Sequence, residues 1–178
     1  MCAPRIPSPS IRVGGVGVGD ALEAFGAQLA VYDGRLHIAD SLEAARGIAR
    51  ELIGDATVAS WEDGALARIA AREAPPQTAE VSLIAADAGV GDTGQIAFVH
   101  RAGRARATGL LPERQVALLD VALVVASLAE ALERLFSDGV PGNLVLVAGP
   151  SRTADIEQRS IRGVHAPREL DVIVYRTP

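Results

Sequence analysis

The order of helical and extended segments predicts an α/β fold with a mostly parallel sheet. Helical periodicity over residues 21–30 and 41–53 alternates with short apolar segments over residues 36–39, 56–61 and 81–86. This alternation is typical of strands that are joined by crossover helices. Composition agrees, because apolar residues make up 49% of the chain and aromatic residues only 3%. Small branched side chains of this kind pack closely between helices and a sheet.

The remaining elements continue the pattern. We predict further helices over residues 63–73 and 127–136, and further strands over residues 95–100, the first half of 115–125, 144–147 and 170–175. Asp40 and Glu43 resemble a capping box before the second helix. The basic run at residues 101–106 is predicted to be the tip of a hairpin.

The chain length is typical of one domain with one core. The 178 residues show no internal repeat and no long linker, so we predict a single domain over residues 20–178. Residues 1–19 are rich in proline and glycine and are predicted to form a mobile tail. The glycines at positions 14–19 lack the spacing of a dinucleotide fingerprint.

Charge and cysteine content exclude several classes of function. A net charge of −5 argues against nucleic-acid binding, which needs a basic face. Cys2 is the only cysteine, so we expect this chain to bind no iron–sulfur cluster and no other cofactor. The three histidines lack metal-site spacing. The longest apolar run, residues 121–128, is too short to span a membrane, and without a signal peptide we expect a cytoplasmic protein.

The segment over residues 144–158 is the strongest chemical motif. Four apolar residues are followed by Gly149 and Pro150, and then by Ser151, Arg152 and Thr153. We predict a buried strand, a turn and a helix whose first turn carries these polar side chains. Free N–H groups at a helix start favour an anion such as a carboxylate or a phosphate.

The turn Asp92-Thr93-Gly94 is predicted to face the same crevice, because ligands collect at the carboxyl ends of parallel strands. Backbone N–H groups of Gly94, Ser151 and Thr153 would bind the anion, and Arg152 would clamp it. The alternative is that Ser151 and Thr153 only cap the helix. Asp155 and Glu157 then either complement the helix dipole or orient Arg152, with Glu157 as a candidate base.

Two further residues are candidates for the site. His165 lies in a turn, where an imidazole serves either as a general acid or base or as a structural hydrogen-bonding group. Arg168 either binds the ligand or anchors the same turn. Beside Glu157 and His165, Asp92 is a third candidate for a catalytic residue, as a carboxylate nucleophile in a glycine-containing turn.

Residues 149–158 and 163–170 resemble the C-terminal signature of the lactate utilization protein C family, which carries the LUD domain. Asp92-Thr93-Gly94 and Leu110-Leu111-Pro112 also match turns of that family. The resemblance implies a Rossmann-like three-layer α/β/α sandwich, as in the superfamily of sugar-phosphate isomerases and CoA transferases. Two positions differ, because this chain has Ala166 where the family has glycine and Asp171 where it has histidine.

The resemblance also implies a function. The family takes part in oxidation of L-lactate to pyruvate beside two iron–sulfur subunits, which would be the partners and would hold the clusters. We therefore expect an accessory or regulatory component that binds a small anionic ligand. One alternative is a small-molecule enzyme of the CoA-transferase-like superfamily that acts on a carboxylate or phosphate. Another is a scaffold whose apolar surface pairs two copies as a homo-oligomer.

Overall fold

The computed structural model describes residues 17–150, 152–154, 160–162 and 167–177. The elements of the first half, in chain order, are α1 (Val18–Val31), β1 (Arg35–Ala39), α2 (Leu42–Ile53), β2 (Val58–Ser60), β3 (Val81–Ala85), β4 (Ala88–Val90) and β5 (Gln95–Val99). Those of the second half are α3 (Arg106–Leu110), β6 (Arg114–Asp120), β7 (Val124–Val125), α4 (Leu128–Leu135), β8 (Leu144–Val147), β9 (Arg152–Ala154), β10 (Ser160–Arg162) and β11 (Glu169–Tyr175). Short 3-10 turns occupy Gly64–Leu66 and Val121–Leu123.

A five-stranded sheet forms the centre of the molecule. Its strand order is β1-β11-β6-β3-β2, and every pairing in it is parallel. The central strands are apolar and fully covered, as a parallel sheet requires. The prediction of an α/β fold with a mostly parallel sheet is confirmed.

Helices cover both faces of this sheet. On one face, α1 packs so closely on β1 that a Cβ at Gly26 would lie 2.7 Å from the Leu36 side chain. On the other face, Arg114 donates to the carbonyl of Leu52 in α2 at 2.6 Å. Register and strand alternation place Leu36 and Arg114 on opposite faces. The α/β/α layering follows from this arrangement.

A second sheet was not expected from the sequence. Its order is β7-β4-β5-β8, with β5 antiparallel to both of its neighbours. It packs beside α1 and α4. The strand β8 is therefore an edge strand with partly exposed side chains, and the prediction that it is buried on both faces is wrong.

Serine side chains begin two of the helices. The Ser41 hydroxyl accepts a hydrogen bond from the Ala44 N–H at 3.2 Å, and Ser127 caps α4 in the same way. The predicted capping box of Asp40 and Glu43 is wrong, because the N-cap is the next residue, Ser41. The predicted helices over residues 41–53 and 127–136 are otherwise confirmed.

Two other local predictions are wrong. Residues 63–73 contain only the 3-10 turn Gly64–Leu66 and no α-helix. The basic run at residues 101–106 is not a hairpin tip, because β5 pairs with β4 before it and β8 after it, and the run leads into α3. In both cases long-range contacts decide the local structure.

Candidate functional site

The carboxyl edge of the parallel sheet gathers polar side chains, as expected for ligand sites in α/β folds. Each strand other than β1 contributes side chains at or just after its carboxyl end: Trp61 and Asp63 after β2, Asp87 after β3, Asp120 on β6, and Tyr175, Arg176 and Thr177 on or after β11. The residues divide into a buried network on the β2 side and a cleft on the β11 side.

Arg104 is the centre of the buried network. Its guanidinium is only 7% exposed and donates to both carboxylate oxygens of Asp87, at 2.7 and 2.8 Å. It also donates to Asp63 at 2.6 Å and lies 5.1 Å from the centre of the Trp61 ring. Burial lowers the pKa of Arg104, but the two carboxylates outweigh burial and raise it.

Backbone contacts fix the same network. The Trp61 indole N–H donates to the Ala105 carbonyl at 3.0 Å, and the Glu62 N–H donates to the Gly103 carbonyl at 3.2 Å. The Val99 N–H donates to Asp87 at 2.8 Å. Because its donors and acceptors are used internally, this network positions the ends of β2 and β3 and leaves little capacity for a ligand.

Asp120 and Tyr175 lie opposite each other in register at the ends of β6 and β11. The Asp120 carboxylate accepts the Ala122 N–H at 2.9 Å and the Thr177 hydroxyl. Burial raises the pKa of Tyr175, and the charges of Asp120 and Asp63 raise it further. Tyr175 is therefore a neutral phenol at neutral pH.

Two clefts that described residues form at this edge differ in charge. The first, of about 680 Å³, lies beside β2, and its charged lining residues are Glu62, Asp63, Glu73 and Arg68. Three carboxylates against one guanidinium disfavour an anionic ligand there.

The second cleft, of about 320 Å³, is lined by Val18, Gly19, Leu22, Val121, Arg176 and Thr177. Arg176 is exposed and forms no ion pair with any described residue. The first turn of α1 borders the same cleft, and its N-cap, Gly17, supplies no side-chain hydrogen bond. The N–H groups and the positive dipole end of α1 therefore lie beside a guanidinium that has no ion pair within the described part of the chain.

The opposite, amino edge of the sheet carries a buried carboxylate. Asp171 is 1% exposed and receives Arg35 at 2.8 and 2.7 Å and the His37 Nε2 at 2.8 Å. Glu169 pairs with the same arginine at 2.7 Å. At the position where the lactate utilization protein C family has histidine, this chain has Asp171, and its carboxylate joins β11 to β1.

Stability should depend on the ionisation of Asp171. Burial alone raises the pKa of Asp171, but Arg35 and His37 outweigh it and hold that pKa below its ordinary value. The ionised carboxylate therefore stabilises the fold above about pH 4, and this contribution is lost as the pH falls further. We expect urea unfolding between pH 3 and 7 to show this loss in the native chain and a weaker loss in Asp171→Asn. Equal acid sensitivity in both chains would contradict the assignment.

The helix predicted after Gly149 is wrong where the structure describes it. Residues Arg152–Ala154 form the strand β9, which pairs antiparallel with β10. Thr153 and Ile161 are opposite each other, and β-branched pairs of this kind favour a sheet. Over the described residues 152–154 the chain is therefore extended where the sequence predicted the first turn of a helix.

The glycines at positions 94 and 149 both lie against the C-terminal end of α1. A Cβ at Gly94 would lie 2.5 Å from the Leu29 nitrogen, and one at Gly149 would meet the carbonyl oxygen of Tyr32, the residue that ends the helix. The Gly94 N–H already donates to the Val90 carbonyl at 2.8 Å. The C-terminal end of a helix carries negative partial charge, which disfavours an anion.

The other predicted site residues are dispersed. Thr93 donates its hydroxyl to Gln95 at 3.2 Å, and Asp92 is exposed in the turn. Arg168 precedes β11 at the amino edge, where its backbone N–H donates to the Glu113 carbonyl at 2.6 Å. Its guanidinium lies 3.5 Å from the Glu113 carboxylate.

Several of the predicted site residues lie outside the part of the chain that the structure describes. Ser151, Glu157 and His165 lie outside the described residues, and of Arg152 and Thr153 only the backbone is described. Among the described residues, no three His, Cys, Asp or Glu side chains are grouped closely enough to hold a metal ion. No described helix is both long and apolar enough to cross a membrane.

Arg176 and Arg104 are the residues that sequence reasoning missed. Arg176 directly follows the predicted strand 170–175, so applying the carboxyl-end rule to that strand would have found it. In the sequence, Arg104 stands out only as part of a basic run. Its partner Asp63 is 41 positions away, and no local pattern indicates that pairing.

Comparison with known proteins agrees with the fold. The family model of the LUD domain matches residues 9–175. The crystal structure of a DUF162 family protein from Deinococcus radiodurans superposes with a TM-score of 0.71, at 20% sequence identity, over 90% of this chain and 99% of that one. At this identity the likeness shows the fold alone.

Sequence relatives carry two kinds of name. The chain is 31% identical over 126 residues to the uncharacterized protein YkgG of Escherichia coli K12, covering 68% of this chain and 53% of that protein. It is 32% identical over 111 residues to lactate utilization protein C of Deinococcus radiodurans, covering 58% and 52%. The chain thus spans about half the length of these relatives. Because the family model covers nearly all of its residues, the chain belongs to the LUD domain family.

Proposed function

We propose that this chain is an accessory or regulatory component of an L-lactate oxidation system and that it binds a small carboxylate. Support for the role comes from LUD family membership and from relatives named lactate utilization protein C, such as that of Exiguobacterium. In this proposal the redox clusters belong to partner iron–sulfur subunits, and this chain binds the anion.

The observation that carries ligand binding is Arg176 in the cleft beside the start of α1, where no described carboxylate forms an ion pair with it. A guanidinium accepts a carboxylate in a bidentate geometry, and the first N–H groups of a helix add further donors. The apolar lining of Val18, Leu22 and Val121 suits the short alkyl part of a small organic acid. The proposed site thus replaces the anion site predicted at residues 149–153.

Calorimetric titration with L-lactate and with pyruvate tests the ligand. Arg176→Gln is expected to weaken binding about tenfold or more, because a charged hydrogen-bonding partner is lost. Asp20 is an exposed carboxylate in the first turn of α1, so Asp20→Asn is expected to strengthen binding about twofold.

Arg106→Gln is the matched control, because Arg106 is exposed and lies outside this cleft. It should leave the affinity unchanged. Equal affinity in the native chain and in Arg176→Gln would contradict the proposed site.

Affinity purification of the native full chain from its host tests the role. Growth on L-lactate should enrich two cysteine-rich iron–sulfur proteins with the tagged chain, and deletion of its gene should impair that growth. Unimpaired growth together with no such partners would contradict the lactate role without bearing on anion binding.

A further inference from the structure

The segment over residues 64–71 favours a helix by sequence but does not form one beyond its first turn. It contains four alanines, and Leu66 and Ile69 are spaced for one helical face. The structure instead has a 3-10 turn at Gly64–Leu66 followed by irregular chain. Conflicts between local preference and tertiary structure mark strained or functional segments.

The segment forms one helical turn after Asp63, and the helix ends there. Asp63 already occupies the N-cap, and its carboxylate accepts the Ala65 N–H at 3.0 Å. Ala67 then leaves the helical region, with φ −57° and ψ 136°. Arg68 follows with φ 62°, in the left-handed region that a side chain rarely adopts. The backbone conformations of Ala67 and Arg68 thus end the helix after its first turn.

Arg46 on α2 binds the acceptors that the next helical turn would use. Its Nη2 donates to the Gly64 carbonyl at 2.8 Å, and its Nε donates to the Ala65 carbonyl at 3.2 Å. In an α-helix those carbonyls would accept the N–H groups of Arg68 and Ile69. The Gly64 carbonyl also accepts the Ala67 N–H at 3.4 Å, a 3-10 bond. Arg46 therefore takes one acceptor position on each carbonyl in the irregular conformation, and a helix would have to share or displace it.

A helical state is compatible with the two buried apolar side chains of the segment and with the hydrogen bonds that follow it. Leu66 and Ile69 are buried at 4% and 5% exposure, and residues three apart remain on one helical face. Beyond the segment, the Arg72 carbonyl accepts the Val58 N–H at 2.8 Å, and the Ala74 N–H donates to the Val58 carbonyl at 2.9 Å. These bonds to the β2 edge do not involve residues 64–71, so a helix over the segment would use none of their donors or acceptors.

We propose that residues 64–71 form a two-state element, irregular or helical, and that Arg46 holds the irregular state. Ala67, Arg68 and Ala70 line the acidic cleft of about 680 Å³, so helix formation reshapes that cleft. The element acts as a conformational switch at the carboxyl end of β2. It is independent of carboxylate binding at Arg176, which lines the other cleft.

NMR of the full chain carrying Arg46→Ala tests the switch. The Cα resonances of residues 67–71 are expected to shift downfield to helical values. Amide exchange at residues 68–71 is expected to slow about tenfold or more, as new helical hydrogen bonds protect them.

Two further variants make the result specific. Arg134→Ala is the matched control. Arg46 pairs with Glu43 on its own helix and donates to carbonyls of a 3-10 turn, and Arg134 likewise pairs with Glu130 and donates to the Ala122 carbonyl of a 3-10 turn. This variant should leave residues 67–71 unchanged. Adding Arg68→Gly to Arg46→Ala should restore the irregular shifts, since glycine favours positive φ and disfavours a helix. Irregular shifts in a folded Arg46→Ala chain, or helical shifts retained in the double variant, would overturn the proposal.

Discussion

Replacing Arg104 by methionine is expected to destabilise the fold by about 3 to 5 kcal/mol, the usual result of removing one member of a buried ion pair. The guanidinium is 7% exposed and is shared by Asp87 and Asp63. Its removal leaves both carboxylates without their buried cation, and among the described residues only the exposed Arg101 remains near Asp87. Urea unfolding followed by circular dichroism measures the change.

Arg101 provides the matched control for this substitution. Its guanidinium lies 3.7 Å from the same Asp87 carboxylate but is 58% exposed, so Arg101→Met should cost less than about 1 kcal/mol. Adding Asp87→Asn to Arg104→Met should recover part of the loss, because one uncompensated charge disappears. Similar small effects at both arginines would show that the buried network does not stabilise the carboxyl edge.

Replacing Gly94 by alanine is expected to cost about 2 to 4 kcal/mol, the sum of left-handed strain and overpacking. Gly94 has φ +66°, and a Cβ there would lie 2.5 Å from the Leu29 nitrogen and 2.6 Å from the Gln28 carbonyl carbon. Both atoms belong to the backbone of α1, which cannot move aside without disturbing the core. Thermal or urea unfolding measures the loss.

Gly54 separates the strain from the clash. It has φ +58° and ψ −131°, a combination that side chains rarely adopt, and a Cβ added there would meet no atom within 4 Å, so Gly54→Ala should show a conformational cost without a clash, about 1 to 3 kcal/mol. Equal costs at the two glycines would mean that the turn at residues 91–94 does not pack tightly on α1.

The parallel sheet was predictable because its buried strands are visible in the sequence as continuous hydrophobic segments. The apolar runs over 81–85 and 170–175 are covered on both faces, and such burial leaves continuous hydrophobic segments in the sequence. The second sheet was not predicted. Its strand β4 is three residues long and is held by partners later in the chain, which a local pattern does not show.

The helix predicted after Gly149 is wrong over residues 152–154 because tertiary pairing overrides helix preference there. Residues 152–154 precede a segment with good helix formers, but their strand β9 is set by pairing with β10. In the same way, residues 64–71 are held irregular by Arg46, about twenty positions earlier. Gly94 and Gly149, which belong to or adjoin the two turns of the predicted site, both lie against the C-terminal end of α1, where the negative partial charge of the helix disfavours an anion.

NMR titration of the ¹⁵N-labelled chain with pyruvate is the most direct test of carboxylate binding at the β11 end of the sheet. Saturable shifts are expected in the amide resonances of Val18, Gly19, Leu22, Val121, Arg176 and Thr177, which line that cleft. Shifts confined to residues 92–94 and 148–153, or none at millimolar pyruvate, would contradict the account.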